Sequence, residues 1–428
     1  MKEGMFNMNE IKRISIIQSV IDKKRTQKEA SIALKVSDRQ VRNLVKRFRE
    51  EGPEGLKHKN KFHKPSHAFQ QDVIDRIIKL KLSDNYVDTN FSHFRDLLKE
   101  REGITISYFA LYNIPKSNNI NSKKSHRDRK IHRRRKRKEY EGLLVQTDGT
   151  PYDWFSVGKN YSLHGYIDDA TGKILGLYMC ENECLLGYLE ITRQMLENYG
   201  SPVAIYSDKF SVFFPSKNQK LTIEDELNGK KKPTTQFKRI MDSLGVELIA
   251  ASTSQAKGRI ERLWETLQDR LTIEFKLNNI TTIEEANIFL PSYIEKFNEQ
   301  FAVEPACKEN KFIAVPAYID LDLLLACKWT RTLDSSGTFT IQNHKFQVAD
   351  KNKLPGAKVD VYISHKIGIV VLYNQKRYEV ICSEDVPSKY STLTFNKFCK
   401  EHQAKVLEVA TSLCIYNSKE QYPLLTSS

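Results

Sequence analysis

Three acidic residues, Asp148, Asp208 and Glu261, fall where regular elements end or begin within residues 143–271. Asp148 follows the apolar run Leu143-Leu144-Val145 and then Gln146-Thr147, which places its carboxylate toward the end of a buried strand. Asp208 follows Val203-Ala204-Ile205-Tyr206-Ser207 in the same way, and Glu261 lies in the first turn of a long amphipathic helix. An isolated Asp after a strand is ordinarily a turn or cap residue. Three acids, after the first strand, after the fourth strand and on the last helix, suit another task, holding divalent cations against a phosphodiester. In-line hydrolysis or transesterification gains when two metals about 4 Å apart activate the attacking oxygen and stabilise the leaving one. Mg2+ needs only a few carboxylates, with water and phosphate oxygens completing its shell.

The elements that must position these acids follow from the apolar pattern. Residues 163–167 and 174–178 read as strands separated by Asp168-Asp169-Ala170-Thr171-Gly172, a hairpin sequence, so three antiparallel strands are expected and both Asp residues are read as hairpin residues. Leu185, Leu189, Met195, Leu196 and Tyr199 recur near helical spacing before Gly200-Ser201-Pro202 ends the run. A helix over 234–244, a strand over 246–249 and a helix over 258–277 follow. In the last helix Ile260, Leu263, Trp264, Leu267 and Leu271 form a core stripe, with Glu261 and Glu265 beside it. Glu265 is read as a solvated or DNA-facing residue.

The order is thus three strands, helix, strand, helix, strand, helix. With Gln146-Thr147-Asp148-Gly149-Thr150-Pro151, Ile167-Asp168-Asp169-Ala170-Thr171-Gly172, Tyr206-Ser207-Asp208-Lys209 and Gln255-Ala256-Lys257-Gly258-Arg259-Ile260-Glu261-Arg262, the sequence resembles the RNase H-like DDE transposases and retroviral-type integrases, in particular bacterial insertion-sequence transposases of the ISNCY type. The resemblance implies two Mg2+ ions, with Mn2+ able to substitute: Asp148 would bridge both, and Asp208 and Glu261 would each hold mainly one. It also implies an enzyme that binds the terminal inverted repeats of its own mobile element, exposes 3′-hydroxyls by hydrolysis and joins them to target DNA by transesterification. Two departures stand out: a polar insertion over residues 216–236 lengthens the interval between Asp208 and Glu261, and Gln268 stands where many relatives carry Lys or Arg. Lys257 and Arg259 remain as expected partners for the DNA end.

The chain has 428 residues and a net charge of +15, a surplus concentrated in a few stretches, which favours a polyanionic partner. No apolar segment approaches membrane-spanning length and Met1-Lys2-Glu3-Gly4 opens no signal-peptide core, so a cytoplasmic, nucleoid-associated protein without a membrane partner is expected. Cys180, Cys184, Cys307, Cys327, Cys382, Cys399 and Cys414 show no CxxC and no paired His spacing, and read as reduced thiols.

Residues 9–50 read as a helix-turn-helix. Ile11, Ile14, Ile17 and Ile21 mark the first helix, residues 27–34 the second, and Lys35-Val36-Ser37 the turn. A Ser37/Gln40 capping box opens the third helix, which buries Val41, Leu44, Val45 and Phe48. Its outer face carries Arg39, Gln40, Arg42, Asn43, Lys46 and Arg47, donors suited to phosphates and to base edges in a major groove. Helices over 69–82, 90–102 and from 107 form a second helical unit, which resembles the second half of the paired helix-turn-helix arrangement of such transposases or else only supports the first unit. Residues 123–138 then hold eleven Lys or Arg against one acid, Asp128, and read as a phosphate-tracking arm that includes Arg133, Arg134 and Arg135. Alternating strands from Phe339 onward predict a small antiparallel barrel resembling the C-terminal barrel of Mu-type transposases and integrases.

The expected layout is multidomain: 1–56 helix-turn-helix, 64–115 second all-α helical domain, 116–140 basic linker, 141–300 α/β RNase H-like mixed-sheet catalytic core, 301–330 connector, 331–385 small antiparallel β-barrel, and a 386–428 tail without assigned role. Because two double-stranded DNA ends must be held together, a homo-oligomer, at least a dimer, is expected in the synaptic complex. A catalytically silent, domesticated DNA-binding repressor is the alternative, and an RNase H-like nuclease acting on RNA hybrids a third possibility. Metal-dependent cleavage separates the first from the enzyme, and substrate choice the second.

Overall fold

The computed structural model describes residues 8–56, 69–121, 135–215, 234–251, 257–341, 344–350, 354–382 and 406–412. Arg133, Arg134 and most of the basic run, the greater part of the polar insertion, Gln255-Ala256, and the tail apart from 406–412 lie outside the described residues. The chain folds as two compact units, Met1–Lys79 and Leu80–Ser428.

In the first unit, α1 (Met8–Ile21), α2 (Gln27–Leu34) and α3 (Asp38–Glu51) enclose Ile17, Ala30, Val41, Val45 and Leu56. Capping boxes start both later helices, Thr26 with Glu29 and Ser37 with Gln40, so each pair satisfies two otherwise unpaired backbone donors. Lys35 turns the chain in the left-handed region (φ 54°) between them. Ile11 departs from the expected stripe: it is 51% exposed while Ile16 is buried. α1 begins at Met8, so Ile11 falls in its first turn, apart from the packed Ile16 and Ile17.

The second unit is built on a five-stranded sheet of order β4-β3-β2-β5-β6. β2 (Val145–Tyr152), β3 (Tyr161–Asp168) and β4 (Ile174–Cys180) pair antiparallel, and β5 (Ala204–Ser207) and β6 (Glu247–Ala250) run parallel to β2. A parallel pair requires a crossover, and α7 (Leu185–Asn198) and α8 (Gln236–Ser243) occupy the intervals before β5 and β6. Met195, Phe237 and Ile240 pack in one cluster with Val145, Tyr166 and Ile205. α9 (Gly258–Leu277) and α10 (Ile283–Phe301) pack in another, Ile260, Leu263, Leu267 and Leu290 meeting Leu163, Ile167 and Leu177. With Leu163 and Ile167 in one cluster and Tyr166 in the other, β3 is covered on both faces, and it is buried without a break from Ser162 to Asp168. A short parallel pair joins β1 (Tyr140–Glu141) to β7 (Cys307–Asn310).

Before the sheet come the end of α4 (Gln71–Leu82), α5 (Phe91–Arg101) and α6 (Tyr108–Ser117). α5 is tied to the sheet-covering helices: Asp96 accepts from Arg270 (2.9 Å) and Gln300 (2.7 Å), and His93 lies 3.5 Å from Glu274. C-terminal to α11 (Leu321–Leu324), six antiparallel strands form a nearly closed barrel: β8 (Cys327–Thr332), β9 (Thr338–Ile341), β10 (His344–Val348), β11 (Lys358–Ser364), β12 (Gly368–Tyr373) and β13 (Lys376–Cys382). Their order is β8-β11-β12-β13-β10-β9, and Arg331 of β8 reaches the Thr340 carbonyl of β9 at 3.2 Å. β8 and β13 were not among the expected strands. The β12–β13 hairpin turns on Asn374-Gln375, both at positive φ (49° and 64°), without the glycine that usually signals such a turn.

Candidate active site

The sheet brings Asp148 and Asp208 together through register. β2 pairs with β5 at Val145↔Ile205 and Gln146↔Tyr206, and each Asp lies two residues beyond the Gln146↔Tyr206 pair. Asp148 thus sits past the paired part of the β2–β5 edge. It does not end β2, however, because the strand runs on to Tyr152 against β3. The expectation of a strand-terminal Asp148 is corrected in that respect.

Lys257 joins the two acids. Its Nζ donates to Asp148 Oδ1 at 2.7 Å and lies 3.8 Å from Asp208 Oδ2. Trp264 Nε1 donates to the other Asp148 oxygen at 3.3 Å, and the Phe210 backbone N–H donates to Asp208 Oδ1 at 3.1 Å. Lys257 and Trp264 flank Glu261 at i−4 and i+3, so Glu261 lies on the helical stripe that faces Asp148. Its side chain is exposed. The three acids do not form a closed cluster: among the described residues, the group of three ligating side chains within 4.8 Å of one another is His164, Cys180 and Cys184.

Burial pushes the Asp148 carboxyl up, the Lys257 charge and hydrogen bond pull it down, and Asp208 adds a further upward push. A fourth carboxylate belongs to this field. Glu183, in the turn between β4 and α7, is pushed up to about 7 by burial, opposed by the Tyr188 hydroxyl that donates to it and reinforced by Asp208 and Asp148. Gly149 makes room for it: a Cβ there would lie 2.9 Å from Glu183 Cγ and Cδ. The sequence reading missed Glu183. The glycine after Asp148 is compatible with that close approach but does not by itself name Glu183.

Asp169 also does more than turn a hairpin. It is fully buried and accepts from Gln146 Nε2 (2.8 Å), the Lys138 backbone N–H (2.8 Å), Arg259 Nε (2.7 Å) and Arg135. Gln146 Oε1 in turn accepts the Ile260 N–H at 3.3 Å. The foot of α9, one residue before Glu261, is therefore pinned to β2 and to the β3–β4 turn. Arg259, 10% exposed at its side chain, and Arg135, 39% exposed, are both engaged by this carboxylate. Asp168 remains a turn residue, accepting from Gly142, Thr171 N–H and the Thr171 hydroxyl.

His164 lies beside Cys180 and Cys184, a proximity no spacing announced. Its Nδ1 meets the Tyr178 carbonyl at 3.3 Å and its Nε2 accepts the Cys184 N–H at 3.1 Å, while burial holds it near pKa 4. With both ring nitrogens engaged it is a neutral packing histidine. In the first unit, Arg39, Arg42, Asn43 and Lys46 are exposed on α3. Gln40 spends its Oε1 on the Ser37 N–H (3.1 Å), and Arg47 is half-buried.

Residues 12–65 match the model of a helix-turn-helix domain family. The chain is 34% identical over 397 residues, 85% of its length, to the transposase for insertion sequence IS1202 of Streptococcus pneumoniae, of which 82% is covered. Among solved structures it is similar to the HTLV-2 integrase catalytic core domain in complex with magnesium, in trimeric form (TM-score 0.29, 16% identity, 39% of this chain and 92% of that one). It is similar also to the simian T-cell lymphotropic virus intasome in complex with PP2A regulatory subunit B56 gamma (TM-score 0.30, 12% identity, 71% of this chain and 95% of that one).

Proposed function

Because the chain belongs to the insertion-sequence transposases, we propose that Asp148, Asp208 and Glu261 are the metal-holding acids of its DNA-cleaving and joining centre. The observation that carries this reading is the Lys257 ammonium held between Asp148 and Asp208, two carboxylates from adjacent parallel strands that already converge on one cation. A carboxylate-only donor set suits Mg2+, with Mn2+ as substitute, and two such ions would activate the attacking oxygen and stabilise the leaving one. The chain's own residues do the positioning: Trp264 orients Asp148, and Asp169 with Gln146 holds the foot of α9.

The protein would bind the terminal inverted repeats of its element, hydrolyse the ends to free 3′-hydroxyls and join these to target DNA by transesterification. Arg39, Gln40, Arg42, Asn43, Lys46 and Arg47 of α3 would enter a major groove, and Arg133, Arg134 and Arg135 would track phosphates. Lys257 would meet the DNA end once its carboxylate partners release it, while Arg259, held against buried Asp169, would position the foot of α9 beside that end. Holding two ends calls for at least a homodimer, working on the nucleoid. The helix-turn-helix, second helical domain, basic linker, catalytic core and barrel would share these tasks in chain order. No helix among the described residues is long and apolar enough to cross a membrane.

The test is an end-cleavage and strand-transfer assay on duplexes carrying the ends that flank the gene, with Mg2+ or Mn2+, beside Asp208→Asn and Glu261→Gln. Joined products that vanish in both variants are the expected result. Specific binding without cleavage under either metal would leave the catalytically silent repressor.

A further inference from the structure

Lys257 is an unusual residue for its place. It is the N-cap of α9, makes no side-chain cap, and adds positive charge to the end of a helix that is already the positive pole of its dipole. Ser, Thr, Asp or Asn would serve the helix better there. The lysine side chain is nevertheless only 10% exposed, and its ammonium spans Asp148, 20% exposed, and Asp208, 45% exposed. What it gains is the neutralisation of one of two carboxylates that would otherwise repel each other in a half-buried site.

We infer that Lys257 is the resident counter-cation of the Asp148–Asp208 pair and withdraws from it when a divalent ion is bound. This inference rests on the metal-holding reading of the two acids. An ammonium donating to Asp148 Oδ1 and a metal ligated by the same oxygen cannot both occupy that side of the carboxylate. Lys257 therefore competes with metal, keeps the acids assembled without it, and lowers the apparent metal affinity of the resting protein. Once displaced, the ammonium stands at the foot of α9, one turn before Glu261, with a free charge for a DNA phosphate.

The full chain, without DNA, supplies two independent readouts. Mn2+ binding is measured by titration for the wild type, Lys257→Met, Lys257→Arg and Asp148→Asn. Lys257→Met should bind Mn2+ about tenfold or more tightly than wild type, since a tenfold change needs less than a charge-assisted hydrogen bond contributes. Lys257→Arg should stay near wild type. In parallel, an amine-acetylating reagent followed by mass spectrometry should modify Lys257 slowly without metal and several-fold faster at saturating Mn2+, a gain absent in Asp148→Asn. If Lys257→Met does not fold, the acetylation arm on the wild type still decides. Equal Mn2+ affinity in wild type and Lys257→Met, or acetylation of Lys257 unmoved by Mn2+, overturns the inference and leaves the metal site standing. Mn2+ binding that is absent, or indifferent to Asp148→Asn, overturns the metal site and the inference together.

Discussion

Asp169→Asn tests whether the foot of α9 is held electrostatically. The carboxylate is fully buried and faces Arg259, 10% exposed, and Arg135, 39% exposed. Removing one partner of a buried pair costs about 3 to 5 kcal/mol, because the other charge is left uncompensated, whereas an exposed pair contributes about 0 to 1. The Arg259 pair therefore dominates. The asparagine oxygen can still accept one of the four donors, which puts the loss near the lower bound, about 3 kcal/mol. In a unit this large each kcal/mol moves the midpoint by about 2 °C, so the unfolding of the second unit should fall by about 6 °C. Differential scanning fluorimetry on the full chain reads this, and Arg259→Met supplies the control. If the two residues act as a pair, the double variant costs less than the sum of the single ones, by about 1 to 3 kcal/mol. End cleavage should be lost along with stability, because Ile260 is the other end of the Asp169–Gln146 chain and Glu261 follows it. An Asp169→Asn protein within 1 °C of wild type, still cleaving at the wild-type rate, would refute the reasoning.

Three further outcomes can be measured. Burial pushes the Glu274 carboxyl up, but hydrogen bonds from His93 and Lys296 and the Lys296 charge outweigh it and hold the group at about 2. A depressed carboxyl stabilises above its unfolded value and loses that contribution as pH falls through its folded one. Glu274 should thus contribute up to about 3 kcal/mol of the stability that urea unfolding shows lost between pH 4.5 and 2, and Glu274→Gln should remove that share of the decline. Gly187→Ala would set a Cβ 2.4 Å from the His164 ring, which its bonds to Tyr178 and Cys184 hold in place, so overpacking by about 1 to 3 kcal/mol should lower the unfolding midpoint. On α3, Arg42→Ala with Lys46→Ala should weaken binding to inverted-repeat and unrelated DNA alike, and reduce the salt slope of log Kd by roughly 2. A slope equal to wild type would mean that neither side chain meets a phosphate.

Much of this fold was legible because burial imposes period and length. α9 carries a complete apolar stripe of Ile260, Leu263, Trp264, Leu267 and Leu271, and both it and α2 were read at the residues where the structure has them. β8 was taken for connector because Cys327-Lys328-Trp329-Thr330-Arg331-Thr332 carries two cationic residues and little apolar surface outside Cys327 and Trp329. Its core-facing residues are identified only by their partners on β11, where Val361 stands opposite Trp329.

The acids were legible for a related reason. A carboxylate just beyond an apolar run is conspicuous locally, and the parallel register of β2 and β5 then brings Asp148 and Asp208 to the same ammonium. Charge partners have no such local sign. Asp169 looked like any turn residue, and Arg259 and Lys257 like free cations at a helix start, until the fold set Asp169 against Arg259 from 90 positions away and Asp148 against Lys257 from 109. Whether a cation can meet DNA depends on which carboxylate already holds it, and that is decided by tertiary packing alone. The same applies to Glu183, which enters the field of Asp148 only because Gly149 lacks a Cβ. Residue type and spacing identify the acids that could do chemistry. The cations that face Asp148, Asp208 and Asp169 come from elsewhere in the chain, and in this protein Lys257 and Arg259 bring them to the start of α9.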